Sequence, residues 1–351
     1  MTNAPVAVFD GHNDTLLDVR ADGREGGRSF FERREAGHLD LPRARDGGLA
    51  GGLFAVFVPN DDHEYDREPT AEGYEMDLPP AVDRERARAF TYDALARLHR
   101  IRADSDGAVR IVGDAEALDA ALDSDALAAI PHLEGAEAVA PDLSNLDLLY
   151  AAGVRSIGPV WSRPNAFGHG VRFEYPGTPD TGPGLTDAGR DLVAACNDRG
   201  IVVDLAHLNA AGFEDVAALS TDPLVVSHGA VHAICPSSRN LTDEQLDAIA
   251  ASGGLVGITF AVGFLRPDGE SDPDTPIATL VDHVEYVADR VGVDHVALGS
   301  DFDGATIPDP IGDATGLSDV LAAIRDRGFD EDEVEKIARD NWLRVLGETW
   351  A

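Results

Sequence analysis

The amino-acid sequence predicts an α/β protein, a TIM-type (β/α)8 barrel that forms a single domain over residues 1–351. Eight short apolar segments recur along the chain, and amphipathic segments lie between them. This alternation is typical of a parallel sheet whose strands are connected by helices. The chain has 351 residues, of which 44% are hydrophobic, so it is long enough for one such barrel with a packed core.

The predicted strands are short apolar runs, and the predicted helices repeat apolar residues at helical spacing. In chain order, the strands are Val6–Phe9, Gly52–Val58, Ala128–Leu133, Val154–Val160, Ile201–Leu205, Leu224–Ser227, Gly254–Phe260 and His295–Gly299. Amphipathic helices are predicted at Ala81–Ile101, Asp187–Arg199 and Leu280–Val291, and after the last strand at Leu317–Arg327 and Glu331–Leu346.

Three segments interrupt this alternation. Residues 60–80, 168–184 and 263–276 are rich in acidic residues, Gly or Pro, and they follow the second, fourth and seventh predicted strands. Active sites of parallel barrels are assembled at the C-terminal ends of the strands. We therefore expect the three segments to be loops that cover a site, although loops that only decorate the surface would give the same pattern.

The chain is strongly acidic. It contains 64 Asp and Glu residues against 28 Lys and Arg residues, which gives a formal net charge of −36. Such a surface repels nucleic acids and anionic membranes, so the charge disfavours both as partners. The acidic residues are spread along the whole chain, which favours adaptation to a salt-rich cytoplasm, as in halophiles, over an ordinary acidic protein.

The sequence also favours a cytoplasmic location. No segment approaches the roughly 20 apolar residues that span a bilayer, and the first residues lack the pattern of a signal peptide. The two cysteines, Cys196 and Cys235, form neither a disulfide framework nor a cysteine-rich zinc pattern.

Histidine and acidic residues follow several predicted strands at their C-terminal ends. Because these ends meet at one face of a barrel, the side chains should converge there. Imidazole and carboxylate groups are suitable ligands for Zn²⁺, and also for Mn²⁺ or Co²⁺. The sequence therefore predicts a metal site, whose candidate ligands are His12, Asp14, Glu134, His207 and His228.

Other polar residues are expected at the same face. Asp301 ends the eighth predicted strand. His132, two residues before Glu134, is predicted to line the barrel or to hydrogen-bond to a ligand. His232 lies at a predicted helix start, four residues after His228, and we favour packing or a contact to a ligand over direct ligation.

A long ordered set of motifs resembles the membrane (renal) dipeptidase family. The motifs occur in the family's order and span residues 9–346, nearly the whole chain. They are Asp10-Gly-His12-Asn-Asp14, the run from His38 to Pro59, Leu133-Glu134-Gly135, Val203-Asp-Leu-Ala-His207, Val226-Ser-His228, Ser238-Arg239-Asn240-Leu-Thr-Asp243 and Gly299-Ser-Asp301-Phe-Asp-Gly304.

The resemblance implies an amidohydrolase-like barrel that hydrolyses the peptide bond of dipeptides with a hydroxide bridging two divalent metal ions, chiefly zinc. It implies that His12 and Asp14 bind one ion. It further implies that His207 and His228 bind the other ion and that Glu134 bridges both. Dimerisation would also be consistent with the family.

The resemblance assigns further residues to catalysis and substrate binding. Together with Glu134, Asp301 is implied to be catalytic, because it would orient the nucleophile and pass its proton to the leaving amine. Arg239 is implied to bind the free carboxylate of the substrate through its planar guanidinium. A surface ion pair is the alternative interpretation of Arg239.

The sequence departs from the family at the end of the fourth strand. Many members have a histidine where this chain has Trp161, and some microbial relatives share a Trp that is followed by an Asn, here Asn165. Trp161 and Asn165 are therefore candidate substrate contacts, and His169 in the following loop is an alternative. Mammalian relatives are membrane-anchored, whereas we expect no anchor here.

Two other functions compete with a dipeptidase. One is a binuclear barrel hydrolase that acts on a different amide, a lactone or an acylated amino acid. The other is a non-catalytic metal-binding or assembly protein. The second is disfavoured because all the candidate ligands and Asp301 are present in the chain.

Overall fold

The eight predicted strands are all present in the computed structural model, which describes residues 6–20, 27–60 and 66–350. Several strands are shorter or shifted by a few residues relative to the prediction. We number them β1 (Val8–Asn13), β2 (Leu49–Phe57), β3 (Leu127–Glu134), β4 (Ser156–Gly158), β5 (Val202–Val203), β6 (Val225–Gly229), β7 (Leu255–Ile258) and β8 (Val296–Leu298).

The strands form a closed parallel barrel. Strands β1 to β5 pair with their neighbours in chain order, and so do β6 to β8. Isolated parallel bridges join the two groups, from Asp204 to Val225 between β5 and β6 and from Asn13 to Phe302 between β1 and the end of β8. The predicted (β/α)8 barrel is therefore confirmed, with minimal backbone pairing at two junctions.

Helices connect the strands, and acidic or hydroxyl residues cap several of them. Asp40, Asp83 and Asp114 each accept a hydrogen bond from a main-chain N–H in the first turn that follows, which stabilises a helix start. The helices are α1 (Leu41–Gly47), α2 (Arg84–Asp104), α3 (Ala115–Leu122), α4 (Leu146–Ala151), α5 (Asp187–Asn197), α6 (Ala210–Leu219), α7 (Asp243–Ala251), α8 (Val262–Leu265), α9 (Ile277–Val291), α10 (Leu317–Arg327), α11 (Glu331–Glu335) and α12 (Asn341–Thr349). The predicted helix Glu331–Leu346 is thus divided, because a π-helical turn at Lys336–Asp340 separates α11 from α12.

The strands are buried on both faces, as expected for a parallel barrel. In β3, Leu127 and Ala129 belong to the core beneath the helices, whereas Ala128 and Ile130 belong to a second core inside the barrel. Trp342 of α12 fills the bottom of that inner core, where its indole N–H donates to the Leu298 carbonyl at 3.0 Å. Because side chains alternate along a strand, His132 and Glu134 then point into the upper part of the interior.

The three predicted loops contact one another. Residues 60–80 and 168–184 share a small antiparallel sheet made of Glu68–Pro69, Tyr74–Glu75 and Glu174–Tyr175. The Tyr175 hydroxyl donates to the carbonyl of Pro267 in the third segment, and α8 overlaps the start of that segment. Residues 61–65 of the first predicted loop lie outside the described part of the chain. Among the described helices, none is both long and apolar enough to cross a membrane.

Candidate metal centre

The candidate ligands meet inside the top of the barrel. His12 lies in β1, Glu134 ends β3 and His228 lies in β6. Asp14 directly follows β1, and His207 lies four residues after the end of β5. All of them are buried, with His12 completely inaccessible to solvent. The convergence predicted from the C-terminal strand ends is therefore present in the structure.

Glu134 lies at the middle of this cluster. Its Oε2 is 3.7 Å from His12 Nε2, and its Oε1 is 3.0 Å from His207 Nε2 and 3.7 Å from His228 Nε2. Asp14 Oδ2 lies 3.5 Å from the same Nε2 atom of His12. Each oxygen of the Glu134 carboxylate thus faces a different group of ligands.

Carboxylates dominate the electrostatics around His12. Burial by itself would lower the pKa of His12, but the charges of Glu134, Asp14 and Asp301 outweigh it and raise that pKa to about 10. Burial, reinforced by the charge of Asp14, raises the pKa of Glu134 well above its usual range. The mutual repulsion of buried carboxylates shows that this part of the site attracts a positive charge.

The other two histidines are electrically different. Burial, together with the positive charges of Arg239 and His12, holds the pKa values of His207 and His228 well below the usual range. Their Nε2 atoms lie only 3.0 Å apart. Their Nδ1 atoms contact serine hydroxyls, Ser162 at 2.8 Å and Ser227 at 2.9 Å. A neutral imidazole whose Nδ1 is hydrogen-bonded to a serine can use its Nε2 as a metal ligand.

The polar atoms of the cluster fit a divalent cation. Neither ring nitrogen of His12 has a hydrogen-bond partner in the described part of the chain, and neither does Asp14 Oδ1. Buried polar atoms are normally paired. Potential ligand atoms lie within 4.8 Å of one another in two overlapping groups, one of His12, Glu134 and His228 and one of His12, Asp14 and Asp301. Nitrogen and oxygen donors of this kind suit zinc and related ions.

Asp301 reaches the cluster through an uncommon backbone conformation. Asp301 and His207 both have positive φ, at 60° and 65°, a region that few non-glycine residues occupy and that is often associated with functional sites. Burial raises the pKa of Asp301 to about 6, even though the charge of His12 acts in the opposite direction. A Cβ on Gly304 would clash with the carboxylates of Asp14 and Asp301, so glycine permits this close approach.

Arg239 is buried beside the cluster and is not a surface residue. One terminal nitrogen donates to the His228 carbonyl at 2.9 Å, and the guanidinium carbon lies 6.0 Å from the centre of the Phe264 ring. Its Nε is buried without a hydrogen-bond partner among the described residues. The guanidinium therefore keeps a donor that an anion could use.

Trp161 belongs to an aromatic wall next to His207. Its ring centre lies 5.5 Å from that of His207, 4.9 Å from that of Phe57 and 5.8 Å from that of Phe173. Phe173 in turn packs against Phe264 at 5.6 Å. The wall thus contains Phe57 from strand β2, Phe173 from the second loop and Phe264 from the third loop. These two loops therefore lie next to the site.

Asn165 and His169 make contacts within their own loop and its surroundings. The Asn165 amide donates to the Pro159 carbonyl at 2.8 Å and accepts from the N–H groups of Phe167 and Gly168. His169 Nδ1 lies 3.3 Å from the Gly184 carbonyl. The Asn165 side chain thus shapes the loop after β4, and its contact with substrate stays a prediction.

His132 and His232, the other histidines that the sequence analysis considered near the site, contact protein groups. His132 is buried beneath the cluster, with Nδ1 at 2.9 Å from Ser156 Oγ and Nε2 at 3.4 Å from Asp204 Oδ2. His232 lies in a turn, not at the start of a helix as predicted. Its Nε2 contacts the Gly177 carbonyl at 2.8 Å. The position of the His232 ring is therefore set by this contact and not by a helical turn shared with His228.

Residues that the sequence did not single out support the cluster. Three serines, Ser162, Ser227 and Ser300, lie next to site residues in the chain. Ser227 donates hydrogen bonds to Asp204, and Ser300 donates hydrogen bonds to Asp10. The available signal was the recurrence of a serine directly before His228 and directly before Asp301. Phe173 and Phe264 left no comparable signal, because their loops have no regular pattern.

The chain is similar to several known proteins. A metallo peptidase from Rhodobacter sphaeroides, solved with a phosphinate mimic of the dipeptide L-Ala-D-Ala, is 43% identical, covers 99% of this chain with all of its own length and superposes with a TM-score of 0.92. The structure of dipeptidase AC, a metallo peptidase of family M19, is 44% identical over 99% of both chains, with a TM-score of 0.91. An uncharacterised protein of the Klebsiella pneumoniae pqqA 5′ region is 46% identical over 74% of this chain and 96% of its own.

The family model of membrane dipeptidases matches residues 2–351. Its match extends well past half of the chain and includes every candidate ligand. The chain belongs to the membrane dipeptidase family, peptidase family M19.

Proposed function

We propose that this protein is a metal-dependent dipeptidase that uses two divalent ions, chiefly zinc. The observation that carries the proposal is the buried cluster of imidazole and carboxylate atoms, several of which have no hydrogen-bond partner among the described residues. The Rhodobacter sphaeroides relative, which binds a phosphinate mimic of a dipeptide, supports the assignment of the substrate class.

The ligands divide into two groups around Glu134. His12 and Asp14 would hold one ion, and His207 and His228 would hold the other. The two oxygens of Glu134 face these groups separately, which suits a carboxylate shared between the ions. When bound, such ions supply a Lewis acid for the scissile carbonyl and lower the pKa of a water molecule.

Asp301 and Arg239 would act on the substrate and its protons. A carboxyl whose pKa is raised to about 6 can accept a proton near neutral pH and release it to the leaving amine. Arg239 would bind the free carboxylate of the dipeptide with its Nε, which has no hydrogen-bond partner in the part of the chain that the structure describes. The aromatic wall around Trp161 would then contact the rest of the substrate.

A dipeptide library incubated with the zinc-loaded protein in high salt, and analysed by mass spectrometry, tests the reaction class. We expect several dipeptides to be cleaved into free amino acids, and lactones and acyl-amino acids to remain intact. The Glu134→Gln variant is the control, because it keeps the shape of the side chain but removes the charge that the two ions would share. Turnover of a lactone or an acyl-amino acid without turnover of any dipeptide would contradict the proposal.

We also propose that the protein works in a salt-rich cytoplasm and that it forms a homodimer. The net charge of −36 supports the first point, and the two buried free thiols of Cys196 and Cys235 suit a reducing compartment. Light scattering of the purified protein at high salt tests the dimer, and a monomeric mass would contradict it.

Removal of salt should destabilise the protein. Without screening ions, the repulsion between acidic side chains extends over about 30 Å at 0.01 M salt, compared with about 3 Å at 1 M. Thermal unfolding midpoints should therefore fall when KCl is lowered while zinc is kept saturating. Equal midpoints at high and low KCl would contradict adaptation to salt and leave the enzymatic proposal unchanged.

A further inference from the structure

The barrel is held at its two weak junctions by the same side-chain arrangement. Asp204, just after β5, accepts the Ser227 main-chain N–H at 2.8 Å and the Ser227 hydroxyl at 2.6 Å. Asp10 in β1 accepts the Ser300 main-chain N–H at 2.7 Å and the Ser300 hydroxyl at 2.8 Å. Both aspartates are buried, and each uses one oxygen for the N–H and the other for the hydroxyl.

The two arrangements differ in what the serine touches next. Ser227 Oγ also lies 2.9 Å from Nδ1 of His228. Ser300 Oγ instead lies near main-chain groups, the His12 carbonyl and the Phe302 N–H, each at 3.1 Å. The β5–β6 junction therefore connects a carboxylate through one hydroxyl to the imidazole ring of a candidate ligand, whereas the β8–β1 junction reaches only the main chain of His12.

The hydrogen bonds of Ser227 determine which nitrogen of His228 carries the proton. A carboxylate has no hydrogen to give, so the single hydroxyl hydrogen of Ser227 points to Asp204. The hydroxyl oxygen can then only accept from His228, and Nδ1 must be the protonated nitrogen. Nε2 is left with a lone pair, which faces Glu134 Oε1 at 3.7 Å and His207 Nε2 at 3.0 Å.

We propose that Asp204, acting through Ser227, is a positioning residue that fixes the Nδ1–H tautomer of His228 and so keeps its Nε2 free to bind a metal ion. This inference rests on the proposed metal site and not on the identity of the substrate. It assigns to Asp204 a role that the equivalent aspartate, Asp10, does not have.

The Asp204→Asn variant should reverse this chain of hydrogen bonds. The Ser227 N–H requires an acceptor, so the amide oxygen faces it and the amide NH2 faces the Ser227 hydroxyl. That hydroxyl then accepts from the amide and donates its hydrogen to His228 Nδ1. His228 becomes the Nε2–H tautomer, whose lone pair no longer faces the site.

The ¹⁵N chemical shifts of histidine report the tautomer directly in the full-length protein, before and after addition of zinc. In the metal-free wild type and in Asp10→Asn, we expect His228 to carry its proton on Nδ1. In Asp204→Asn, we expect the proton on Nε2. Zinc binding, measured in competition with a chelator, should weaken about 10–100-fold in Asp204→Asn, as is typical when a partner of a metal ligand is lost.

Asp10→Asn is the matched control, because it removes the same charge from the same kind of junction without a histidine on the serine. An unchanged His228 tautomer in a folded Asp204→Asn protein would overturn the proposal. So would equal losses of zinc affinity in both variants, since these would indicate that the aspartates only hold the strands together.

A second pair of variants decides the matter if Asp204→Asn does not fold. Ser227→Ala removes the link to His228, whereas Ser300→Ala removes the corresponding hydroxyl at the other junction. We expect mixed tautomers of His228 and weaker zinc binding in Ser227→Ala only. A single Nδ1–H tautomer with wild-type affinity in Ser227→Ala would overturn the proposal. These readouts need no turnover, so a failure to cleave dipeptides would leave the inference standing.

Discussion

Two buried histidines, His283 and His12, illustrate opposite uses of the same side chain. His283 in α9 accepts the Val231 N–H at Nδ1 and contacts the Leu265 carbonyl through Nε2, each at 2.9 Å. His12 is equally inaccessible to solvent, but neither of its nitrogens has a hydrogen-bond partner among the described residues. Burial is therefore common to both, and the pairing of the ring nitrogens separates them.

The electrostatics follow the same division. Burial lowers the pKa of His283 to about 4, whereas the nearby carboxylates raise the pKa of His12 to about 10. A paired, neutral histidine connects α9 to the barrel. An unpaired histidine surrounded by carboxylates provides a place for a cation. Function is thus indicated by unsatisfied groups and not by burial alone.

Asp301→Asn should cause the largest effect on activity among the following changes. The amide keeps the shape of the side chain but cannot accept a proton near neutral pH, so kcat should fall about 10²–10⁴-fold. If Asp301 moves a proton, the metal content of the variant should remain that of the wild type. The measurement pairs kcat with elemental analysis of the same preparation.

Asp303→Asn is the control for this experiment. Asp303 pairs with Arg28 and accepts the His38 N–H at 2.5 Å, so its loss should have a milder effect on kcat. Full activity of Asp301→Asn would remove Asp301 from the mechanism. Loss of metal would instead place Asp301 among the ligands, where its distance to His12 and Asp14 also permits it.

Arg239→Ala should weaken substrate binding through the lost contact to the carboxylate. Truncation of one partner of a buried charged pair costs about 2–5 kcal/mol. A dipeptide amidated at its C-terminus should be a poor substrate for the wild type and nearly insensitive to the mutation. If the acid and the amide are cleaved equally well by both proteins, Arg239 does not bind the carboxylate.

His283 should make the protein less stable in acid. Its pKa is about 4 in the folded state and about 6.5 when unfolded, so the unfolded state binds more protons between these values. The contribution of His283 to the free energy of unfolding should therefore be complete above about pH 6.5. It should be lost, by about 3 kcal/mol, as the pH falls from there through 4.

Urea unfolding at a series of pH values, with zinc saturating, measures this contribution. The His283→Asn variant can still accept from Val231 but does not titrate, so its stability should depend less on pH than that of the wild type. Identical pH dependence in the two proteins would show that His283 is not the neutral, paired group described above.

The sequence predicted the strands and the convergence of the candidate ligands, because both depend on local patterns. Apolar runs define the strands, and His12, Glu134 and His228 follow or end them. The contrast between His12 and His283 could not be predicted, because it depends on which main-chain groups a fold brings to each ring. His232 was misplaced for a similar reason, since its contact with Gly177 comes from a distant loop.

The number of metal ions per chain tests the central claim most directly. If the unpaired atoms of the cluster are ligands, elemental analysis of the purified and zinc-reconstituted protein should give two ions per chain. The Asp10→Asn control should also give two, because it leaves the ligands themselves in place. A value of no more than one ion per chain after reconstitution would contradict the binuclear site.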